Sequence, residues 1–510
     1  MAKHQLLRFV CLVAVFPSGL AASSLPAEET AADLFRKAVE SSGERYVETR
    51  TALLARPLEV APTVDEALKS ARDWRTRLAA EAIRGWVRCP DLYLELWTWQ
   101  AKENRYRNPY PRMAAEAKEK FSAAGKDAIP LMLELVWKKH ETHYGALPQL
   151  LSEWNVELAI PVLVEQMTAP ETGTDWGLAE AVGRFGERST PHLLAALRDA
   201  TPSARAQLVA SLGFGGDLKA VDELRKRLQE DPDETVREHA ARALAALKQY
   251  AILRQDLSDL QSTTQVQVVR VLGDDKSDDT REVLRRLATM EEPASLRMEV
   301  VRALVNQATA ADLAAACEIA RQESDDTIKS SMYVYLGMSG RYQKNQLVRK
   351  LFLESLQDPV EGVRVRAIEG LQCYDDPEVT RALLSLLSTK DITKRTALWV
   401  LKERQHPAIV DEVLPLLHDQ EVVVRQFAAE ALGRNPTQKA LEPLISVLDD
   451  QDMQVRRLAV EAITAIGGER ALSALTQALP AEKDNMVKDR MTSGIRFLSA
   501  ARSEKSGTGQ

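Results

Sequence analysis

The sequence predicts an all-α protein, an α-α superhelix of stacked helical hairpins behind an irregular helical N-terminal cap. Three observations carry that expectation. A basic residue returns in a fixed register every 28 to 35 positions along most of the chain. Within each period, apolar residues fall at i, i+3, i+4 and i+7, the spacing of one helical face. Finally, only 5% of the 510 residues are aromatic, and no Val/Ile/Thr-rich alternation lasts long enough to suggest a sheet.

Residues 1–21 read as a cleaved secretory signal. "MAKHQLLR" is a short basic region, "FVCLVAVF" an apolar run of eight, and "PSGLAASS" supplies small residues, with Gly19 and Ala21 at the −3 and −1 sites. The run is too short to span a bilayer, and no later run is apolar enough to anchor the chain. Export to a periplasmic or extracellular setting is the expectation. Its removal takes Lys3 and Arg8 and leaves 65 basic against 74 acidic residues. That balance disfavours nucleic-acid binding, which needs a basic stripe.

Residues 22–125 are expected as an irregular helical region covering the exposed end of a repeat core. Thr63 with Glu66 forms a capping-box pattern predicted to open a helix through "DEALKSARDWRTRLAAEAIRGWV", after a Pro-marked break in "ARPLEVAPTVDEALKS". Seven of the eight tryptophans lie between Trp74 and Trp176. In "LWTWQAKENRYRNPYPR", Trp97, Trp99, Tyr106 and Tyr110 accompany Arg105, Arg107 and Arg112, a mix suited to a glycan, a peptide or an acidic partner. The same aromatics are equally suited to filling an irregular helical core.

Residues 126–500 carry the repeats, followed by a tail at 501–510 expected to be disordered. Anchored on the Leu-Gly that closes "LHDQEVVVRQFAAEALG", the register gives Asp175, Arg205, Arg237, Gln265, Arg297, Lys329, Arg364, Lys394, Arg425, Arg456 and Lys488. Nine of these eleven are basic. Six residues before them stand Asp199, Asp231, Asp259, Glu291, Glu323, Asp358, Asp419, Asp450 and Glu482, and only the units of Asp175 and Lys394 lack the acid. Acids are about one residue in seven here, so chance does not produce this column. The pairs Asp231/Arg237, Asp358/Arg364, Asp419/Arg425 and Asp450/Arg456 are therefore expected to form a structural ladder. Each Arg would bridge carboxylates and turn carbonyls of its own and neighbouring units. As exposed pairs they would contribute at most about 1 kcal/mol each.

The segments "HDQEVVVRQFAAEALG", "DDQDMQVRRLAVEAITAIGG" and "DPDETVREHAARALAAL" resemble HEAT repeats, in particular the short bacterial type found in phycobilin lyases. The likeness spans roughly residues 126–500 and implies a solenoid; it implies little about function.

No chemistry stands out. The resemblance extends to deoxyhypusine hydroxylase, but that family's several iron-binding His-Glu pairs are represented only by His140-Glu141. "KKHETH", with His140, Glu141 and His143, lacks the HExxH spacing that grips zinc. "GFGGD" at 213–217 and "GMSGR" at 337–341 read as inter-helix turns rather than phosphate loops. Cys89, Cys317 and Cys373 are too few and too far apart for a disulfide framework, and read as buried free thiols. No catalytic, cofactor-binding or metal-binding residue is assigned, and no cofactor is expected. The leading expectation is an exported, non-enzymatic scaffold that binds a protein partner along its solenoid surface. A lyase-like or hydrolytic enzyme with an N-terminal site is one alternative; an envelope- or carbohydrate-binding module is another.

Overall fold

The structure, a computed structural model, describes residues 29–99, 110–142, 145–169 and 174–507. The expected leader lies outside the described residues, as do Arg105, Tyr106, Arg107, His143, Tyr144 and the side chain of Tyr110. Among the described residues the elements are helices and turns, with no strand. The chain forms two compact units, Met1–Val271 and Leu272–Gln510. None of the described helices is long and apolar enough to cross a membrane.

The first unit opens with helices whose starts are written in their caps. Thr30 and Asp33 form a reciprocal capping box ahead of Ala31–Glu40. The expected helix opening at Thr63 is corrected. One helix runs Pro57–Ser70, with Pro57 in its first turn, where a missing N–H has no helical partner to lose. Pro62 sits inside this helix and Thr63 does not cap it. The break falls later, at residues 71–73, where Asp73 accepts from the Thr76 amide at 2.8 Å and starts Trp74–Arg88.

The repeats pair a short first helix with a longer second one. Consecutive second helices pack side by side: Trp176–Gly183 on Pro202–Gly215, and that on Glu234–Ala246, in the first unit. In the second unit, Asp326–Gln343 packs on Glu361–Leu371, and Val422–Arg434 on Met453–Ile466. The Ala-rich stripe explains the closeness. A Cβ placed on Gly213 would lie 2.7 Å from the Ala243 Cα, so any side chain there would push the helices apart. Of Val422–Arg434, the residues Val424, Ala428, Ala429, Ala431 and Leu432 are buried, leaving Gln426, Phe427 and Arg434 toward solvent.

Two turn expectations resolve differently. At 213–217, Gly216 ends the Pro202–Gly215 helix in the left-handed conformation, and Asp217 caps the next short turn, so this is an inter-helix turn. "GMSGR" at 337–341 is not. It lies inside Asp326–Gln343, where Gly337 meets the backbone of Gly370 on the neighbouring second helix, and its glycine serves close approach rather than a turn. The last helix, Asn485–Gly507, reaches into the segment expected as a tail.

Candidate interaction surface

The ladder residues meet across repeats. Arg425 donates through Nε and Nη2 to both carboxylate oxygens of Asp450 in the next unit, at 2.7 and 3.0 Å. Its Nη1 meanwhile holds the Asp419 carbonyl of its own turn at 2.9 Å. Arg456 repeats this with Glu482 and the Asp450 carbonyl, as Arg205 does with Asp231 and the Ala200 carbonyl, and Arg297 with Glu323 and the Glu292 carbonyl. Lysines at the same position, Lys329 and Lys394, reach Asp358 and Asp419 at 2.7 Å each. In the units of Arg425 and Arg456 the acid and the cation are joined through the acid's own carbonyl, and in those of Arg205 and Arg297 the carbonyl belongs to the residue after the acid. Asp231, Glu323, Asp358, Asp419, Asp450 and Glu482 each pair with the preceding cation.

The carboxylate also holds its own turn. Asp231, Asp358, Asp419 and Asp450 each accept the amide two residues ahead at 2.9 to 3.1 Å, which aims the following helix. Where the acid is missing, in the unit of Lys394, Arg364 turns instead to Asp391 at 2.6 Å and to the Thr393 hydroxyl. Arg237 uses the equivalent Thr264 at 2.8 Å. The rungs are more buried than exposed surface pairs. The side chains of Arg456 and Glu482 are 15% and 3% exposed, and hydrogen bonds from Arg456 hold the Glu482 carboxyl down at about 2.

The N-terminal aromatics surround a buried charge. Arg50 donates to Glu134 at 2.6 Å, and its guanidinium lies 4.1 Å from the ring centroids of both Trp86 and Trp97. Glu134 further accepts from Tyr46 at 2.7 Å and from the Trp86 indole at 2.8 Å. One turn on, Lys138 donates to the Val39 and Ser41 carbonyls at the end of Ala31–Glu40, and burial pushes its ammonium down to about 7. Burial likewise raises the Tyr46 hydroxyl well above its ordinary value. Trp97 is thus core, and Trp99, half-buried, meets Phe121 edge-on at 6.2 Å. His140 ends the Ile129–Lys139 helix and bonds Gln166 through Nδ1 at 2.8 Å. Of the cysteines, Cys317 is buried, with its thiol pushed up to about 12 by burial, whereas Cys89 and Cys373 are only half-buried.

A groove of about 580 Å³ lies between Val422–Arg434 and Met453–Ile466, on the face of the second helices turned from the core. Gly433 against Ala462 brings the two helices together beneath it. Phe427 and Leu458 supply its half-exposed apolar surface. Around them, Lys402 pairs with Glu430 at 3.0 Å, Arg434 with Glu403 at 2.8 Å, and Glu461 with both Arg457 and Arg490 at 2.5 and 3.0 Å.

Comparison with known families bears on these repeats directly. Residues 190–262 and 410–496 match the family model described as HEAT repeats. Those two stretches are similar to HEAT repeats. The groove helices both fall within the second, and the Arg50–Glu134 network lies outside both. No curated protein matches the chain significantly by sequence. Among solved structures, an engineered protein is 18% identical, with 86% of this chain and 98% of that one covered and a TM-score of 0.30. Human deoxyhypusine hydroxylase in complex with glycerol is 20% identical over 49% and 96%, with a TM-score of 0.22. A structure of Kap95p with RanGDP is 12% identical over 94% and 68%, with a TM-score of 0.45.

Sequence reasoning missed the Arg50–Glu134 pair, whose members stand 84 residues apart with no repeating register to expose them. It also missed a second set of cross-repeat bridges on the first helices: Arg225 to Asp256, Arg285 to Asp312 and Arg349 to Asp376. Their separations of 31, 27 and 27 residues were available, but they do not follow the Leu-Gly register. The groove left no sequence signal of its own, because Phe427 and Leu458 share a position that holds Thr396, Arg366 and Ser331 in preceding units.

Proposed function

We propose that the chain is a HEAT-repeat scaffold that binds a protein partner through the second-helix face of residues 410–496. The observation that carries this is the groove itself, with an apolar floor at Phe427 and Leu458 inside a ring of ion pairs. Apolar centres with charged rims are the anatomy of protein interfaces. The ladder supports the reading from the other side, since its cations are already engaged by carboxylates and turn carbonyls and leave recognition to other residues.

A photo-crosslinking residue at Phe427, compared with one at exposed Glu412 on the first helix Pro407–Val413, tests this in the native host. A discrete protein adduct at Phe427, absent at Glu412 and lost on Leu458→Ala, is the expected result. Equal labelling at both positions would sink the proposal. We further propose that the scaffold works outside the cytoplasm, on the strength of residues 1–21 alone. A mature N-terminus at or near Ala22 in exported protein is the expected readout, and retention of Met1 in the cytoplasmic fraction would count against it.

A further inference from the structure

In the first unit, two rings from repeats that are not neighbours stack on each other. Trp176 opens the helix Trp176–Gly183, and His239 sits on Glu234–Ala246, two second helices further on. Their centroids are 4.3 Å apart at an interplanar angle of 26°. The helix between them, Pro202–Gly215, packs against both. For side chains of its two flanking helices to meet above it, the second-helix layer must bend inward at this point. Further contacts fix the Trp176 end: the Asp175 amide donates to Gln207 Oε1 at 2.9 Å, and Thr174 Oγ1 lies 2.9 Å from Ser203 Oγ.

A second observation agrees with a bridge over the middle helix. After most ladder positions the next two residues are half-exposed or exposed, as Gln426, Phe427, Arg457 and Leu458 are, although Glu299 after Arg297 is 1% exposed. Their counterparts on the bridged helix, Ala206 and Gln207, are only 2% and 1% exposed. Ala206 is also small enough to leave room for rings above it. Trp176 itself remains 42% exposed, so the bridge stands at the surface rather than in the core.

We infer that the Trp176–His239 stack is a latch that sets the curvature of the repeats around Pro202–Gly215 and closes that stretch of the face. The inference is independent of the groove at Phe427.

Spin labels at Glu180→Cys and Arg242→Cys, in a full chain whose native cysteines are alanine, read the distance across the bridged helix. Trp176→Ala and His239→Ala should each lengthen and broaden that distance, and the double variant should add nothing further. His239→Phe, which keeps a ring on the ring, should restore the narrow distribution. Amides near Ala206 and Gln207 should exchange several-fold faster in both alanine variants. Should Trp176→Ala fail to fold, His239→Ala and His239→Phe still decide. An unchanged distance in His239→Ala, or a His239→Phe variant as open as His239→Ala, overturns the latch.

Discussion

The N-terminal network and the repeat ladder both bury arginine against carboxylate, yet they are built on opposite principles. Around Glu134, one carboxylate collects three donors from two different helices, with Arg50 clasped between two indoles. In the ladder, one arrangement of two residues is copied, and carboxylates such as Asp419 and Asp450 serve the unit before them and their own turn. The first concentrates its energy at a single irreplaceable point. The second distributes it, and can lose a member, as it does where Arg364 turns to Asp391.

Four experiments sharpen that contrast, in descending order of effect. Glu134→Ala strands Arg50 in a nearly fully buried site and should destabilise the first unit by about 3–5 kcal/mol, read by denaturant unfolding. Arg456→Ala leaves Glu482 and the Asp450 carbonyl without their donor and should cost about 2–3 kcal/mol. Arg425→Ala should behave alike while leaving partner crosslinking at Phe427 intact. If Arg456→Ala matched Glu134→Ala in cost, the distributed reading of the ladder would fail.

Acidification gives the third. The Glu482 carboxyl lies at about 2 in the folded chain against an ordinary 4.5, so its contribution is fully present above pH 4.5. That contribution is lost as pH falls from 4.5 toward 2, through the folded value, because the unfolded chain binds the proton first. Glu482→Gln should flatten this limb of the stability–pH curve. The smallest effect belongs to Lys439→Ala, whose pair with Asp411 is about as exposed as surface pairs come; a melting temperature indistinguishable from the parent's is expected.

The same contrast explains what could be read from the sequence. The all-α class and the solenoid arrangement were legible because the ladder is periodic, and periodicity is a property that one sequence displays. The role of Asp419 and Arg425 was legible in kind, though the burial of the rungs exceeds that of the exposed pairs expected. Trp97 stood out as an aromatic suited to binding, but no periodic signal could say that Arg50, 47 residues earlier, lies against it. "GMSGR" misled for a related reason: glycine marks both turns and close helix contacts, and only the position of Gly370 tells them apart. The groove escaped because a binding surface departs from the repeat rather than obeying it.

The split of each rung between two units has an evolutionary consequence. Removing residues 419–449, one whole period of 31, would join His418 to Asp450. Lys394 would then face Asp450, a carboxylate already seated on its own turn and already shaped to take a cation from the preceding unit. Loss of that period therefore leaves the junction chemically complete, whereas a cut of another length there breaks it. Where the rungs are wired this way, the protein can change its reach by duplication and deletion without redesigning the joint.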